Sequence, residues 1–356
     1  MQMRILHVDT EMGWRGGQLQ VLLLAQGLAR HPRFAGSVLT VCRTGSQLAT
    51  RLAAADLPHT TIAVSSPWSP AAVWRLREVA ASFQADLVHA HASHAHTLAA
   101  LATIGTRRRL ITTRRVDFSP TGMWKYRRCA RVVAISQAIA GVLGAHAGRV
   151  EVIPSGIDPQ RFAHADRGLG RASLGLADDA VVVLCVAALE DHKGHETLLS
   201  AWERLASHHP RAYLLLAGSG ALRAAIELRA ASVPRVLLLE QRDDIPDLLA
   251  AADVFALTSN LEGLGTAVMD AMVCGLPVVA TRAGGIPELI TDELDGLLAP
   301  VRDAEAVAER LARLITDPAL RSRLGTAARA TAQRRFLASA MVEAYVRLYA
   351  EVSEQP

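Results

Sequence analysis

Short apolar runs alternate with segments of helical periodicity along the whole chain. In the first half, strands are predicted at residues 4–8, 37–42, 87–90 and 110–113, with helices between them. The second half repeats this alternation from a strand at residues 181–187. Because strands that alternate with helices form parallel sheets covered on both faces, the pattern predicts two doubly wound α/β domains. Ligands of such sheets bind beyond the carboxyl ends of the strands.

A polar stretch without periodicity, near residues 163–171, separates the two halves. We therefore expect a first domain at residues 1–163 and a second at residues 164–334, followed by a helical tail at residues 335–356. The length of 356 residues agrees with two domains of ordinary size.

Basic residues are concentrated in the first half. Residues 1–165 carry 19 Arg and Lys against 8 Asp and Glu, and the remainder carries 19 against 26, so the net charges are +11 and −7. A basic half favours an acidic partner, such as an anionic lipid surface, a phosphorylated acceptor or nucleic acid. A solvated, Arg-rich face would explain the same excess. Nucleic acid is the weakest of these options because aromatic residues make up only 4% of the chain and no recognition motif is present.

Features of a membrane or secreted protein are missing from the sequence. No apolar run approaches the ~18–20 residues that a membrane-spanning helix needs, and the first residues lack the apolar region of a signal peptide. The cysteines are scattered and form no Cys-x-x-Cys motif, which predicts reduced thiols and no metal site; they are Cys42, Cys129, Cys185 and Cys274. We therefore expect a cytoplasmic protein that can lie on the inner face of the cytoplasmic membrane through its basic half.

Residues 260–288 are the most informative segment. Glu262 lies in a Gly-rich turn that opens a predicted helix, and Asp270 follows about two helical turns later. Free N–H groups at a helix start favour anionic groups, and two carboxylates beside such a turn can bind sugar or ribose hydroxyls. The combination suits a nucleotide sugar, although an acid that only stabilises the helix dipole is the simpler alternative. The predicted donor-binding turn consists of Gly263, Leu264, Gly265 and Thr266.

The same segment resembles the Glu-x7-Glu signature of retaining glycosyltransferases of family 4, which have the GT-B fold of two Rossmann-like domains facing a cleft. By this resemblance Glu262 contacts the donor sugar. Asp270 stands where the family has its second Glu, which contacts the donor ribose, and is one methylene shorter. The resemblance also implies that the last helix, at about residues 336–351, crosses back onto the first domain.

Lys193 is one of only two lysines among 38 basic residues. An ammonium group at the end of a predicted strand suits a diphosphate as a point charge, although a plain helix-start lysine is the alternative. Lys193 and Gly194 match the family pattern Gly-Arg-Leu-x-x-x-Lys-Gly, in which Ala188 replaces the usual Arg. Arg242 follows another strand of the second domain, where the family binds the base, and is predicted to contact the base or ribose.

The first domain offers further candidates beside its first strands. By resemblance, Gly16 and Gly17 lie over the donor phosphate and the acceptor, although Gly-Gly turns are also common without a ligand. A run of four histidines at residues 89–96 invites a metal interpretation. The family uses no metal for its chemistry, and its histidine near the reacting sugar corresponds best to His91 and next to His94.

A third group, Arg114, Arg115 and Asp117, follows another strand of the first domain. These residues, together with His94, are predicted to face the acceptor side. A surface loop with a salt bridge would explain the same residues.

Together these features imply a retaining, metal-independent glycosyltransferase that uses no cofactor besides its nucleoside diphosphate sugar. The resemblance implies transfer to a hydroxyl of a glycan or lipid-linked acceptor, in cell-envelope polysaccharide, lipopolysaccharide or glycolipid synthesis. One alternative is a GT-B nucleotide-sugar epimerase or hydrolase. Another is a sugar-nucleotide-binding protein with weakened catalysis, which the departures at Ala188 and Asp270 suggest.

Overall fold

The computed structural model describes residues 3–119, 122–144 and 149–354. The chain forms two compact units, one made of Met1–Gly156 with Ala338–Pro356 and the other of Ile157–Leu337. The second unit thus begins before the polar stretch that the sequence suggested as a boundary. That stretch follows a 3₁₀ helix at Pro159–Phe162, and most of it belongs to a short helix, α7 (Arg167–Ala172).

The first unit contains a seven-stranded parallel sheet in the order β3-β2-β1-β4-β5-β6-β7. Its strands are β1 (Ile5–Asp9), β2 (Val38–Arg43), β3 (His59–Ile62), β4 (Leu87–Ala90), β5 (Arg109–Arg114), β6 (Arg131–Ala134) and β7 (Val150–Val152). Its described helices are α1 (Gly16–Arg30), α2 (Gln47–Ala54), α3 (Pro70–Ser82), α4 (Ser93–Ala102), α5 (Met123–Arg127), α6 (Gln137–Leu143) and α15 (Ala338–Glu354).

The second unit contains a six-stranded parallel sheet in the order β10-β9-β8-β11-β12-β13. Its strands are β8 (Val181–Val186), β9 (Ala212–Ala217), β10 (Val236–Leu239), β11 (Val254–Leu257), β12 (Val278–Thr281) and β13 (Leu297–Ala299). Besides α7, its helices are α8 (His195–Ala206), α9 (Arg223–Ala231), α10 (Ile245–Ala251), α11 (Thr266–Val273), α12 (Ile286–Leu289), α13 (Ala304–Thr316) and α14 (Pro318–Arg335). A further 3₁₀ helix covers Asp191–Lys193.

The inner strands of both sheets are largely buried because parallel sheets are covered on both faces. In β1, β4, β11 and β12 every residue is buried. The strand order reverses once in each sheet, between β1 and β4 in the first unit and between β8 and β11 in the second. These reversals define the places where ligands of doubly wound folds usually bind.

The last helix packs in the first unit, as expected. Tyr345 and Tyr349 of α15 are fully buried in the same apolar cluster as Leu24, Leu28 and Phe34. Phe336, at the start of the expected helix, belongs instead to the second unit, where its carbonyl accepts a hydrogen bond from the Ile157 amide at 2.8 Å. A search of the described residues finds no helix with the length and apolarity to cross a membrane.

Candidate active site

Two residues that the sequence singles out separately form one ion pair in the second unit. Lys193 follows β8 and Glu262 follows β11, the two strands at the reversal of strand order. The Lys193 Nζ atom lies 2.5 Å from Glu262 Oε2, and the side chains are only 18% and 12% exposed. A cation and a carboxylate therefore meet at the edge where a doubly wound sheet usually binds its ligand.

Hydrogen bonds join the loop that carries Lys193 to the loop that carries Glu262. The His192 carbonyl accepts from the Asn260 amide at 2.7 Å, and the Thr258 hydroxyl donates to the Gly194 carbonyl at 2.9 Å. The Ser259 hydroxyl donates to Glu262 Oε2 at 3.2 Å. Glu262 Oε2 therefore has two partners within the second unit, Lys193 and Ser259.

Glycines bring the surrounding backbone closer than side chains would allow. Gly284 has φ +48°, and a Cβ atom there would lie 1.7 Å from the Glu262 carbonyl oxygen. Gly194 has φ +65°, and its Cβ would lie 2.1 Å from the Thr258 carbonyl oxygen. Side chains are excluded at both positions, by contact and by backbone conformation.

Helix α11 begins directly after the Glu262 turn. Gly265 precedes it with φ +94° and provides no side-chain cap. A helix start without a side-chain cap leaves its N–H groups for other acceptors, and an anionic ligand is favoured there. The structure thus places the predicted turn, residues 263–266, between Glu262 and the start of a helix.

Asp270 has a protein partner in the structure. Its Oδ1 lies 3.2 Å from Nη1 of Arg161, in the 3₁₀ helix Pro159–Phe162. Burial raises the pKa of Asp270 to about 6, although Arg161 acts in the opposite direction. The ribose contact expected from the sequence stays a prediction, and the ion pair is what the structure shows.

Arg242 is also engaged within the protein. Its guanidinium donates to both carboxylate oxygens of Asp244, with 2.7 Å from Nε to Oδ1. The side chain is 30% exposed and follows β10. Contact with a base or ribose is a prediction that this arrangement leaves open.

A neighbouring glycine loop was missed by the sequence reasoning. Residues 218–220, Gly-Ser-Gly, follow β9 and pack on the loop after β8, where the Ser219 carbonyl accepts from the Leu189 amide at 2.9 Å. A Cβ atom at Gly218 would lie 2.0 Å from the Ala187 carbonyl oxygen. The available signal was a Gly-x-Gly directly after an apolar strand.

In the first unit, the start of α1 and the end of β1 are held together. Asp9 is buried and accepts from the Glu11 amide at 3.0 Å and from the Gln18 side chain at 3.1 Å. Helix α1 begins at Gly16, and a Cβ atom at Gly17 would lie 3.4 Å from Cδ of Arg115. The structure thus brings Arg115 beside Gly17, two candidates from separate parts of the sequence.

Three buried histidines lie at the strand reversal of the first unit. His7 of β1 is the register partner of His89 of β4, and His91 follows β4 on the same face. His7 Nδ1 lies 2.7 Å from His91 Nε2. Burial lowers the pKa of His7 to about 3 and the pKa values of His89 and His91 well below their ordinary value, so all three are neutral at pH 7.

The four-histidine run of the sequence does not form one site. His89 is satisfied as a structural residue, because its ring nitrogens bond to the Tyr349 hydroxyl at 2.6 Å and to the Thr113 hydroxyl at 2.8 Å. His94 is exposed on α4, and His96 is buried with Nε2 3.2 Å from the Lys125 carbonyl.

Among the described residues, one group with metal-ligand chemistry is found, formed by His7, His89 and His91 with ligand atoms within 4.8 Å of one another. Since both nitrogens of His89 are occupied, only two of these three histidines retain an unpartnered nitrogen. Two nitrogens are too few for the ligand sets of three or four that zinc prefers.

Arg114 is buried, and its guanidinium bonds to neighbouring residues of the first unit. Its Nη1 donates to the Tyr126 hydroxyl at 2.6 Å, and its Nη2 donates to the Phe118 carbonyl. The guanidinium therefore holds the loop after β5, in which Asp117 is half-buried. Arg114 was expected to face the acceptor, and its observed contacts assign it to the support of that loop.

Two family models match nearly the whole chain between them. Residues 14–161 match Glycosyltransferase Family 4, and residues 166–331 match Glycosyl transferases group 1. The chain is 36% identical over 199 residues to a D-inositol 3-phosphate glycosyltransferase of Saccharomonospora viridis, a match that covers 52% of this chain and 46% of that protein.

A second relative, the lipopolysaccharide core biosynthesis glycosyltransferase LpsE of Rhizobium meliloti, is 34% identical over 183 residues, covering 51% of this chain and 53% of LpsE. The chain thus spans about half the length of these curated relatives.

A solved structure resembles the chain over its full length. HepE of Anabaena, in complex with UDP-glucose, superposes with a TM-score of 0.86 at 25% identity, covering 98% of this chain and 100% of HepE. This likeness and the two parallel sheets confirm the expected GT-B fold. The first half of the chain therefore resembles Glycosyltransferase Family 4 and the second half resembles Glycosyl transferases group 1, within the GT-B fold.

Proposed function

We propose that this chain is a retaining, metal-independent glycosyltransferase that moves a sugar from a nucleoside diphosphate to an acceptor hydroxyl. The observation that carries the proposal is the pair formed by Lys193 and Glu262, 2.5 Å apart at the strand reversal of the second unit. A cation suits the diphosphate and a carboxylate suits the sugar hydroxyls, so one pair serves both halves of the donor.

Lys193 would stabilise the leaving diphosphate together with the N–H groups near residues 264–266 at the start of α11. Donors aimed at a developing negative charge, in a site already formed, are a large source of catalysis. When the donor binds, its phosphate would replace Glu262 as a partner of Lys193. Glu262 would then be released towards the sugar, while Ser259 keeps it oriented.

His91 would bind a hydroxyl of the donor sugar, because its low pKa makes it a neutral hydrogen-bonding group rather than a strong base. Gly16 and Gly17, at the start of α1, would approach the donor phosphate or the acceptor. The acceptor's proton would pass to the leaving phosphate in a front-face reaction. Glu262 and Asp270 would thus not serve as the carboxylate pair of a glycosidase.

The likeness to HepE, solved with UDP-glucose, makes UDP-sugars the first donors to test. The relatives named for D-inositol 3-phosphate and for lipopolysaccharide core synthesis favour a phosphorylated or lipid-linked acceptor of the cell envelope. The net charge of +11 in residues 1–165 supports an anionic acceptor and attachment to an anionic membrane surface. Arg115 beside Gly17 is the basic residue that we assign to the acceptor side, with Asp117 and His94 as its further candidates.

The proposal is tested by incubating the protein with UDP-, GDP- and ADP-sugars, with and without phosphorylated or lipid-linked acceptors, in the presence and absence of EDTA. We expect nucleotide release that depends on the acceptor and is unchanged by EDTA. Proton NMR of the product should show the donor's anomeric configuration. An inverted product, or activity lost with EDTA, would contradict the mechanism.

The same incubation separates the rival functions. Equal nucleotide release without an acceptor would indicate a hydrolase, and interconversion of two donor sugars would indicate an epimerase. Donor binding without turnover would indicate a binding protein.

A further inference from the structure

A hydrogen bond between two histidines of the first unit has no role in the function proposed so far. His7 Nδ1 lies 2.7 Å from His91 Nε2. The ring centroids lie 5.0 Å apart and the ring planes 21° apart, and the residues are 0% and 3% exposed. At this separation the two nitrogens share one hydrogen. We call His7 and His91 the histidine pair.

The shared hydrogen links the tautomers of the two rings. A neutral imidazole carries one N–H, and burial keeps both rings neutral. If His7 Nδ1 carries the shared hydrogen, His91 Nε2 accepts it, and His91 must be protonated on Nδ1. If His91 Nε2 carries it, His7 must be protonated on Nε2. Both rings are therefore Nδ1–H, or both are Nε2–H.

The outer nitrogens of the histidine pair remain for other partners. His7 Nε2 and His91 Nδ1 are buried and have no hydrogen-bond partner among the described residues. Buried polar atoms are rarely left unpaired because the lost hydrogen bond is costly. A ligand group at His91 Nδ1 would satisfy one of these two atoms.

The ring of His91 is also held across its face. The ring centroid of His89 lies 4.0 Å away, and His89 is itself fixed by Tyr349 and Thr113. Thr113 in turn contacts the Tyr345 hydroxyl at 2.8 Å. His91 is thus restrained at one edge by His7 and at one face by His89, which leaves Nδ1 as its nitrogen for a ligand.

We propose that His7 is a positioning residue that fixes the ring plane and the tautomer of His91, so that His91 Nδ1 meets a neutral hydroxyl of the donor sugar. This inference rests on the proposed function, in which His91 binds the donor sugar. A hydroxyl fits either linked tautomer, because it can both donate and accept a hydrogen bond.

NMR of the histidine ring nitrogens tests the linkage without any substrate. In protein labelled with ¹⁵N-histidine, we expect one neutral tautomer for His7 and the same tautomer for His91, assigned from single-site variants. In His7→Leu, the signals of His91 should shift to a mixture or to the other tautomer. Opposite tautomers in the wild type, or a His91 signal unchanged in His7→Leu, would overturn the inference.

Kinetics with three variants test the positioning role. An asparagine amide can reach a position close to imidazole Nδ1, so His7→Asn keeps a partner for His91, whereas His7→Leu removes it. Thr40→Val is the matched control: Thr40 is buried, is the register partner of His7 on β2, and has no side-chain partner for its hydroxyl among the described residues.

We expect His7→Leu to lower kcat at least 10-fold while the donor KM changes less than about threefold. His7→Asn should restore kcat to within about threefold of wild type, and Thr40→Val should stay within twofold. Wild-type kcat in His7→Leu, or no rescue by His7→Asn in a folded protein, would overturn the inference alone. Absence of transfer by the wild type would overturn the proposed function and this role together.

Discussion

Two largely buried ion pairs lie at helix α11 in the second unit. Glu262, before the helix, is paired with Lys193, and Asp270, within it, is paired with Arg161. Breaking a buried pair by removing one partner leaves the other charge uncompensated, which is more costly than loss of an exposed pair. In the unliganded protein each of these residues therefore compensates the charge of its partner. A ligand that separates a pair would have to provide that compensation.

Glu262→Gln separates phosphate binding from catalysis. The variant removes the carboxylate that occupies Lys193, so we expect the nucleoside diphosphate to bind as tightly as in wild type or more tightly. Because the amide cannot replace the charged contact with the sugar, kcat for transfer should fall about 100-fold, near the ~2–3 kcal/mol of a charged hydrogen bond. Titration calorimetry and the transfer assay measure the two effects. Loss of nucleotide affinity with unchanged kcat would contradict this division of roles.

Asp270→Asn tests how far burial raises the pKa of this carboxyl group. Its pKa in the folded protein, about 6, lies above its ordinary value of 3.8. The folded state thus binds the proton more tightly, and the stability that protonated Asp270 contributes is lost as pH rises from about 4 to about 6. The stability of wild type relative to Asp270→Asn should fall over this interval, by at most about 3 kcal/mol. A difference that is independent of pH would contradict the shift.

At the scale of elements, α15 completes the core of the first unit. Its apolar face joins the cluster formed by α1 and the inner strands, and its two tyrosines bond to His89 and Thr113. Helix α15 thus holds His89, one of the three buried histidines, directly through Tyr349 and indirectly through Tyr345 and Thr113. The sequence predicted a helical tail, and the family resemblance implied that its last helix returns to the first domain.

The contact between α1 and α15 is close enough to exclude a methyl group. A Cβ atom at Gly27 would lie 2.3 Å from a methyl carbon of Val342. Gly27→Ala should therefore lower the free energy of unfolding by about 1–3 kcal/mol, as overpacked cores do, although alanine is the better helix former. Thermal or urea unfolding measures the change.

Val342→Ala provides the control for this prediction. In the double variant the deleted methyl groups make room for the new one, so part of the loss should be recovered. Strictly additive losses would show that Gly27 and Val342 do not interact as described.

At the scale of the whole molecule, the sequence was most informative about features that a single local segment determines. The alternation predicted both sheets. Lys193 and His91 were singled out at the ends of predicted strands, and Glu262 was singled out in a Gly-rich turn that opens a helix. His7 was missed because its partner depends on the register of β1 against β4, which no local pattern shows. The contact of Asp270 with Arg161 joins residues 109 apart in the chain and was missed for the same reason.

Stability of the whole chain should depend on its buried histidines. Burial lowers the pKa values of His7 and His96 to about 3 and that of His195 to about 4. Unfolding raises these values towards 6.5, so the unfolded chain binds more protons, and stability is lost as pH falls from about 6.5 towards 4. Each histidine contributes at most about 1.4 kcal/mol per pH unit.

We therefore expect the Tm to fall between pH 7 and pH 5, and to fall less in His7→Asn. His94→Asn, which alters an exposed histidine of the same unit, is the matched control and should follow wild type. A Tm independent of pH in this range, or equal slopes in wild type and His7→Asn, would contradict the expectation.

The central claim is that Lys193 binds the diphosphate of the donor, and calorimetric titration tests it most directly. Wild type is titrated with UDP, GDP and ADP, and the tightest of these is then titrated into Lys193→Met and Arg211→Met. Arg211 is the control because its pair with Asp179 is exposed in the same unit. We expect a 10- to 100-fold higher Kd in Lys193→Met, as for loss of one charge-assisted hydrogen bond, and a change within twofold in Arg211→Met. An unchanged Kd in folded Lys193→Met, or no nucleotide binding by wild type, would contradict the claim.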